Sequence, residues 1–157
     1  GYDAVLVSSS LQGEAGEAAR RLARIAQQRM KTMKAGMCLL SGGETTVRVA
    51  GKGKGGRNQE FALAFAIEIE DAEGVTLLSA GTDGTDGPTD AAGAIVDGET
   101  CSSARKLGLD PLHFLEANDS YRFFGKLDSL SGKRNHFKPG PTGTNVMDIQ
   151  IVLLEKV

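Results

Sequence analysis

The chain has 157 residues, of which 40% are hydrophobic and 24% are charged, and its formal net charge is −2. This length and composition are typical of one globular domain, and no apolar run approaches the ~20 residues that a membrane-spanning helix needs. The charge balance gives no general attraction to nucleic acid or to an anionic membrane, so we expect neither as a partner.

The cysteine pattern and the start of the chain bear on its cellular location. Cys38 and Cys101 lie far apart and form no CxxC or Cys/His pattern. This spacing argues against a zinc site and against a disulfide-rich secreted scaffold, so we expect buried free thiols. The chain also begins without the basic segment and cleavage site of a signal peptide, which predicts a cytoplasmic location. Because it does not begin with methionine, we expect it to be part of a longer protein.

The first half of the chain alternates between strand and helix patterns. An apolar, β-branched run predicts a buried strand at 4–8, and apolar residues at helical spacing predict a long helix over 14–34. A second apolar strand is expected at 37–40, and the alternation in TTVRV predicts a further strand at 45–49. Residues 61–69 are apolar nearly all round, which predicts a deeply buried helix.

The second half continues the alternation with shorter elements. We expect strands at 75–79 and 94–96, helices at 99–107, 111–117 and 120–130, and a closing strand at 145–154. The whole pattern predicts a single α/β domain over residues 1–157, with a mainly parallel or mixed sheet flanked by helices. In such folds ligands gather at the carboxyl ends of the strands, so the polar loops that follow the apolar strands should meet at one edge.

Residues 51–60 read GKGKGGRNQE and combine four glycines with three basic residues ahead of a helix. Glycine lets backbone N–H groups approach a ligand, and a helix N-terminus carries partial positive charge, so this loop suits a phosphate or a carboxylate. Arg57 is the favoured anion ligand because it lies beside the helix start, where Asn58 is a candidate N-cap. The spacing is not that of a nucleotide P-loop. A mobile loop with solvated lysines explains the same residues equally well.

Residues 79–93 read SAGTDGTDGPTDAAG and carry Asp83, Asp86 and Asp90 without any basic residue. Carboxylates this close repel one another unless a cation lies among them or their oxygens accept hydrogen bonds from backbone N–H groups. The pattern is not that of an EF-hand. A ligand or metal role and simple turn chemistry are equally supported.

Two further stretches carry weaker signals. Residues 41–46 follow an apolar strand and residues 140–145 precede one. Both stretches offer groups that could meet a ligand, namely backbone donors, hydroxyls and, at Glu44, a carboxylate, but a simple turn explains them better. Asp148 is more informative, because an acid inside an apolar strand is costly unless it is paired. Arg57 or Arg48 is a candidate partner, and exposure on an edge strand is the alternative.

Several chemistries find no support in the sequence. His113 and His136 show no catalytic-triad or metal spacing. A GxSxG nucleophile elbow is missing, which argues against acyl transfer through a serine. The glycine loop does not have the GxGxxG form that opens a nicotinamide-binding helix.

The motifs SGGETTVRV, GKGGRNQEFALA, SAGTDGTDGPTDAAGA, NDSYRFF and GPTGTNVMDIQIVL occur in this order between residues 41 and 154. Together they resemble the MOFRL domain, the C-terminal domain of class II glycerate kinases. The resemblance implies an enzyme that uses ATP and Mg²⁺ to phosphorylate D-glycerate, commonly at the 2-hydroxyl, and some relatives carry the label hydroxypyruvate reductase. It also implies an N-terminal Rossmann-like domain in the same chain, with the active site between the two domains.

The resemblance also implies roles for individual residues. Arg57 would face the glycerate or the transferred phosphate as a catalytic residue, and Glu60 would orient it. Asp83 and Asp86 would be catalytic and would hold Mg²⁺ or position the acceptor hydroxyl, and the sequence does not decide which carboxylate does which. The expected substrate- or phosphate-binding residues are Gly42, Gly43, Glu44, Lys54, Gly55, Gly56, Asn58, Glu60, Thr82, Thr85 and Asn145.

The absence of the N-terminal domain from these residues limits what they can do alone. ATP recognition is expected to belong chiefly to that domain, so this part by itself should be inactive. The alternatives are a stand-alone module that binds a small anion and a part of a hydroxypyruvate reductase. A surface that loses its partner domain exposes apolar groups, so a homodimer is also expected to be possible.

Overall fold

The computed structural model describes residues 1–156. The elements in chain order are β1 (Asp3–Leu11), α1 (Ala15–Thr32), β2 (Met37–Gly43), α2 (Arg57–Glu68), β3 (Val75–Gly81), β4 (Gly93–Asp97), α3 (Thr100–Lys106), α4 (Pro111–Glu116), α5 (Ser120–Ser131), β5 (His136–Phe137) and β6 (Asp148–Leu154). Within this range, no helix is both long enough and apolar enough to cross a bilayer.

The strands form one six-stranded mixed sheet in the order β1-β2-β6-β3-β4-β5. β1 and β2 run parallel, and every other pair of neighbours is antiparallel. The last strand in sequence, β6, therefore lies between β2 and β3 in the centre of the sheet. The predicted α/β domain with flanking helices is confirmed, and of the two predicted sheet types the structure has the mixed one and not the mainly parallel one.

Some local predictions are wrong. Residues 45–49 are not a strand, because the backbone of Thr46 bonds to the segment that leads into α1 and forms only an isolated bridge with Glu14. The closing strand begins at Asp148 rather than at 145, because the Asn145 side chain accepts a hydrogen bond from the N–H two residues later and forms a turn. Strand β5 is absent from the prediction because two residues carry no readable pattern.

Helix α2 is the centre of the helical layer. Its residues 58–66 are all buried, and Phe61 and Phe65 are completely so. Each phenylalanine buried in this way contributes about 1.5–3 kcal/mol to folding. α2 packs on β3 and β4 and contacts each of the other four helices. The position of its first residue, Arg57, is therefore fixed by the core.

The ends of three neighbouring strands lie side by side along one edge of the sheet, meaning the side at which strands begin and end and not an outermost strand. Gly43 of β2 pairs with Asp148 of β6, and Asp148 pairs in turn with Gly81 of β3. β2 and β3 end at this row, and β6 begins there. The expectation that polar loops meet at one edge is confirmed for these strands.

Gly43 and Gly42 provide a matched test of the packing at this edge. Gly43 has a φ of +148°, and a Cβ atom there would lie 2.3 Å from the backbone oxygen of Leu11. At Gly42 the nearest atom to a Cβ would be the backbone oxygen of Asp148, at an ordinary 3.6 Å. We expect Gly43→Ala to lower the free energy of unfolding by about 2–4 kcal/mol and Gly42→Ala by less than about 1 kcal/mol. Chemical denaturation measures both values, and equal losses would contradict this account.

Candidate functional site

Arg57 is held by two carboxylates at this sheet edge. Its Nε donates to Asp148 Oδ2 at 2.6 Å, and its Nη2 donates to Asp148 Oδ1 at 3.0 Å, so the pair is bidentate. Its Nη1 lies 3.0 Å from Glu44 Oε1. The side chain of Asp148 is 0% exposed, that of Arg57 36% and that of Glu44 55%. The guanidinium thus extends from the interior of the sheet to the surface.

This contact answers the question that the sequence left open about Asp148. Its partner is Arg57 and not Arg48, and it lies in a central strand instead of an exposed edge strand. The hydrogen bond to Asp148 is the main cause that raises the pKa of Arg57. The guanidinium therefore keeps its charge, and its position is fixed by a buried carboxylate.

The carboxylate of Asp86, from the loop after β3, caps the N-terminus of α2. Its Oδ1 accepts from the backbone N–H of Asn58 at 3.0 Å, and its Oδ2 accepts from the backbone N–H of Gln59 at 2.9 Å. Both side-chain amides donate to the same carboxylate. Burial raises the pKa of Asp86, and the hydrogen bonds from Asn58 and Gln59 act against that rise.

The helix-terminal donors expected to bind an external anion therefore bind the protein's own carboxylate. The N-cap position belongs to Gly56 and not to Asn58, whose side chain is buried and accepts a hydrogen bond from Ser79 Oγ. Asp86 has no oxygen free of these bonds, which favours a structural role over the predicted catalytic and metal-binding roles. Of the three acids in this loop, only Asp83 has a carboxylate oxygen without a hydrogen bond to another described residue, because both oxygens of Asp90 also accept hydrogen bonds.

The glycines of the loop before α2 are explained by close backbone packing. A Cβ atom would lie 2.0 Å from Ala117 O at Gly51, 2.5 Å from Asn118 O at Gly53, 2.3 Å from Ser120 Oγ at Gly55 and 2.3 Å from Asp86 Cγ at Gly56. The loop thus passes between the α4–α5 connection and the aspartate loop. The glycines permit this passage, whether or not a ligand binds there.

Asn118 and Asp119 hold the glycine loop, a role that their sequence context alone did not predict. Asn118 Oδ1 accepts from the backbone N–H groups of Ala50 and Gly51, both at 2.8 Å, and Asp119 Oδ1 accepts from that of Lys54 at 2.7 Å. The Asn-Asp pair directly before a helix was the available signal, because both residue types bond to backbone N–H groups. The Nζ of Lys54 lies 4.5 Å from the centre of the Tyr121 ring.

The sequence predicted that Glu60 orients Arg57, but in the structure Asp148 and Glu44 bind the guanidinium instead. It is 5% exposed, and its Oε2 accepts from Asn118 Nδ2 at 2.9 Å. Burial raises the pKa of Glu60, and the hydrogen bond from Asn118 opposes that effect. Glu60 therefore anchors the residue that holds the glycine loop, while Asp148 and Glu44 hold Arg57.

A cleft of about 610 Å³ opens beside Arg57. Its polar lining comes from Glu44, Lys54, Arg57, Glu60 and Asn118, with the backbone of 53–56, and its apolar lining includes Val47, Val49 and Pro88. A concave surface with a few converging polar groups is the usual form of a small-molecule site. The cleft can hold a small anion against Arg57.

The remaining predicted site residues lie outside this cleft. Gly42 and Gly43 are inside β2, opposite residues of β6. Thr82 Oγ1 donates to Met147 O, and Thr85 N–H donates to Asp83 Oδ1. Asn145 Oδ1 accepts from Met147 N–H within its own turn, so Thr82 joins the two loops while the Thr85 and Asn145 bonds are local. The predicted roles of these residues in binding stay predictions.

Asp83 lies in the loop after β3, two residues beyond the row that contains Asp148. Its Oδ1 accepts from Thr85 N–H at 3.0 Å, which leaves Oδ2 without a hydrogen bond to another described residue. Across residues 1–156, no group of three or more His, Cys, Asp and Glu side chains is placed to hold a metal ion. A metal at Asp83 and Asp86 thus stays a prediction.

Comparison with known proteins relates this chain to a family. Residues 37–148 match the model of the MOFRL family. The chain is 48% identical to a D-glycerate 2-kinase of Thermotoga maritima over 98% of its own length and 36% of the relative's. It is 53% identical to a glycerate kinase of Danio rerio, covering 74% of this chain and 23% of that one. A crystal structure of a glycerate kinase from Thermotoga maritima superposes with a TM-score of 0.91 at 48% identity, covering 98% of this chain and 36% of that one.

The cap on α2 can be tested with paired aspartate substitutions. We expect Asp86→Asn to lower the free energy of unfolding by about 1–3 kcal/mol, because one of the two backbone N–H groups then faces an amide nitrogen. Asp90→Asn is the control, since Asp90 contacts Tyr121 and Lys138 only at the surface and should change it by less than about 1 kcal/mol. Denaturant titrations of both variants make the comparison, and a smaller loss for Asp86→Asn than for Asp90→Asn would refute the cap.

Proposed function

The chain belongs to the MOFRL family, and we propose that it forms one wall of the active site of an ATP-dependent D-glycerate kinase. Nearly the whole chain matches two of its relatives, but it spans only about a third of their length. It covers 36% of the Thermotoga maritima kinase and 34% of a glycerate 2-kinase of Pyrococcus horikoshii. The other wall, and most of the ATP contacts, would come from a Rossmann-like domain in the remaining part of the protein. We place the enzyme in the cytoplasm.

The observation that supports this proposal is the Arg57 guanidinium at the mouth of the cleft. Two of its nitrogens are taken by buried Asp148, and the third meets Glu44, whose side chain is 55% exposed. An incoming anion can displace an exposed glutamate far more readily than a buried one, because the freed carboxylate is at once solvated. The carboxylate of glycerate or a phosphoryl oxygen would then take the place of Glu44 on Nη1.

Arg57 would contribute to catalysis through electrostatics. Phosphoryl transfer spreads negative charge over the oxygens of the transferred group, and a fixed guanidinium stabilises that charge without having to reorganise. The bidentate contact with Asp148 supplies the fixed orientation. Lys54, on the same wall, would attract the anionic substrate; its Nζ lies over the Tyr121 ring and forms no ion pair with another described residue.

A magnesium ion would neutralise charge on the phosphate oxygens when bound. Mg²⁺ is usually held by one or two carboxylates together with substrate phosphates. Asp83 fits this requirement with its free Oδ2, whereas Asp86 does not, because the α2 cap uses both of its oxygens. We therefore assign Asp83 to the metal or to the acceptor hydroxyl and Asp86 to positioning.

Substitution of Arg57 in the full-length enzyme tests this proposal. We expect Arg57→Ala to reduce kcat/KM for D-glycerate by about 10³-fold or more, as loss of a transition-state arginine does in other phosphoryl-transfer enzymes. Arg57→Lys should also lose most activity, because lysine cannot form the two parallel bonds to Asp148. Lys52→Ala is the control, since this exposed lysine does not line the cleft. A coupled assay of glycerate-dependent ADP formation gives the rates.

Two outcomes would count against the proposal. The assignment of Arg57 would be wrong if folded Arg57→Ala enzyme, checked by thermal unfolding, kept its kcat/KM. Glycerate binding without glycerate-dependent ADP formation by the full-length protein would favour the alternative of an anion-binding module.

A further inference from the structure

Among the elements that residues 1–156 form, no helix lies on one face of the sheet. α2 packs on β3 and β4 from the opposite face, and the other four helices contact α2 and contribute to, or pack against, the same core cluster, so all five lie on one side. The strand residues under them alternate with a second set that points away. Leu39, Leu77 and Val152 belong to the buried core, while their neighbours Leu40, Leu78 and Ile151 do not. We call the helix-free side the back face.

The back face is apolar across five strands. The pairing register places five large aliphatic residues in a single row that crosses β1, β2, β6, β3 and β4, namely Leu6, Leu40, Ile151, Leu78 and Ile95. Leu6 is 67% exposed and Ile95 is 37% exposed. A continuous apolar surface of this kind marks an interaction site, and one without charge in its centre resembles a core cut in half.

We propose that the part of the longer polypeptide outside these 157 residues packs on the back face as a second layer. The proposal rests on the two-part architecture given under Proposed function but not on the reaction. The matched regions cover only 36% and 35% of the two solved relatives, so most of each relative's chain lies outside the part that corresponds to this one. A partner in the same chain is present at every protein concentration, which favours it over a second copy.

Cys38 offers a direct probe of this layer. It lies on the back face, opposite Leu153 of β6, and is partly exposed in the domain described here. Cys101 is an internal reference, because it lies on the fully buried side of α3 and burial raises its pKa to about 12. The two thiols report on opposite sides of the sheet.

The experiment is thiol labelling of the full-length protein with a maleimide, read for each cysteine by peptide mass spectrometry. We expect Cys38 to react at least about 100-fold more slowly in the native protein than after denaturation, because docking closes the back face. A cysteine introduced by Arg24→Cys, on the exposed side of α1, is the matched control and should react rapidly. Ile95→Lys places a charge in the proposed interface and should restore labelling of Cys38, whereas Gln28→Lys on α1 should not.

The outcomes separate this inference from the reaction. Labelling of Cys38 as fast as that of the Arg24→Cys thiol would overturn it, even in an active kinase. Protection that disappears on dilution together with a dimer in sedimentation would also overturn it, because a second copy would then cover the face. Protection that persists at dilution in a monomer supports the second layer, even if no glycerate is phosphorylated. If Ile95→Lys fails to fold, the wild-type comparison alone decides.

Discussion

The bidentate contact between Arg57 and Asp148 joins the first residue of the central helix to the first residue of the central strand, across 91 positions of sequence. Asp148 reaches this point because β6, the last strand, inserts between β2 and β3. The same insertion puts the end of β2, and with it Glu44, on the other side of the guanidinium. The site therefore exists only when the whole chain has folded, and an arginine lost here leaves a buried carboxylate unpaired.

The three carboxylates around Arg57 and the start of α2 differ in their exposure to solvent. Asp86 is buried and neutralises the helix terminus, Asp148 is buried and orients Arg57, and Glu44 alone is more than half exposed. A substrate anion need not compete for the helix N-terminus or for the Nε side of the guanidinium, because internal carboxylates already bind them. The position that remains for a substrate anion is the Nη1 nitrogen beside the cleft, where Glu44 now binds. Internal anions thus prepare a rigid site and leave one replaceable contact.

The sequence predicted the type of most elements but not the way they meet. Apolar runs and helical spacing located the strands and helices because these patterns are local. The Asp148 pairing stayed open because the position of β6 depends on sheet order, which no local pattern encodes. The glycines of 51–56 and Asp86 each fit two interpretations in the sequence, ligand contacts or turn and loop chemistry, and the structure shows close packing for the glycines and helix capping for Asp86. A glycine or an aspartate at a turn has the same local signature in either role. Asn118 was missed since its partners lie 58 to 70 positions away.

The strand sequences also account for the unequal faces of the sheet. Runs such as AVLV, MCLL and IVLL are apolar at successive positions, which is the pattern of strands buried on both sides. The helices between these strands all return to the same side, so they can satisfy only alternate residues of each run. In a strand with only one buried side, apolar and polar residues would alternate along the sequence, as they do in antiparallel sheets with one face in solvent. The second apolar set in β2, β3 and β6 is therefore explained by the proposed second layer.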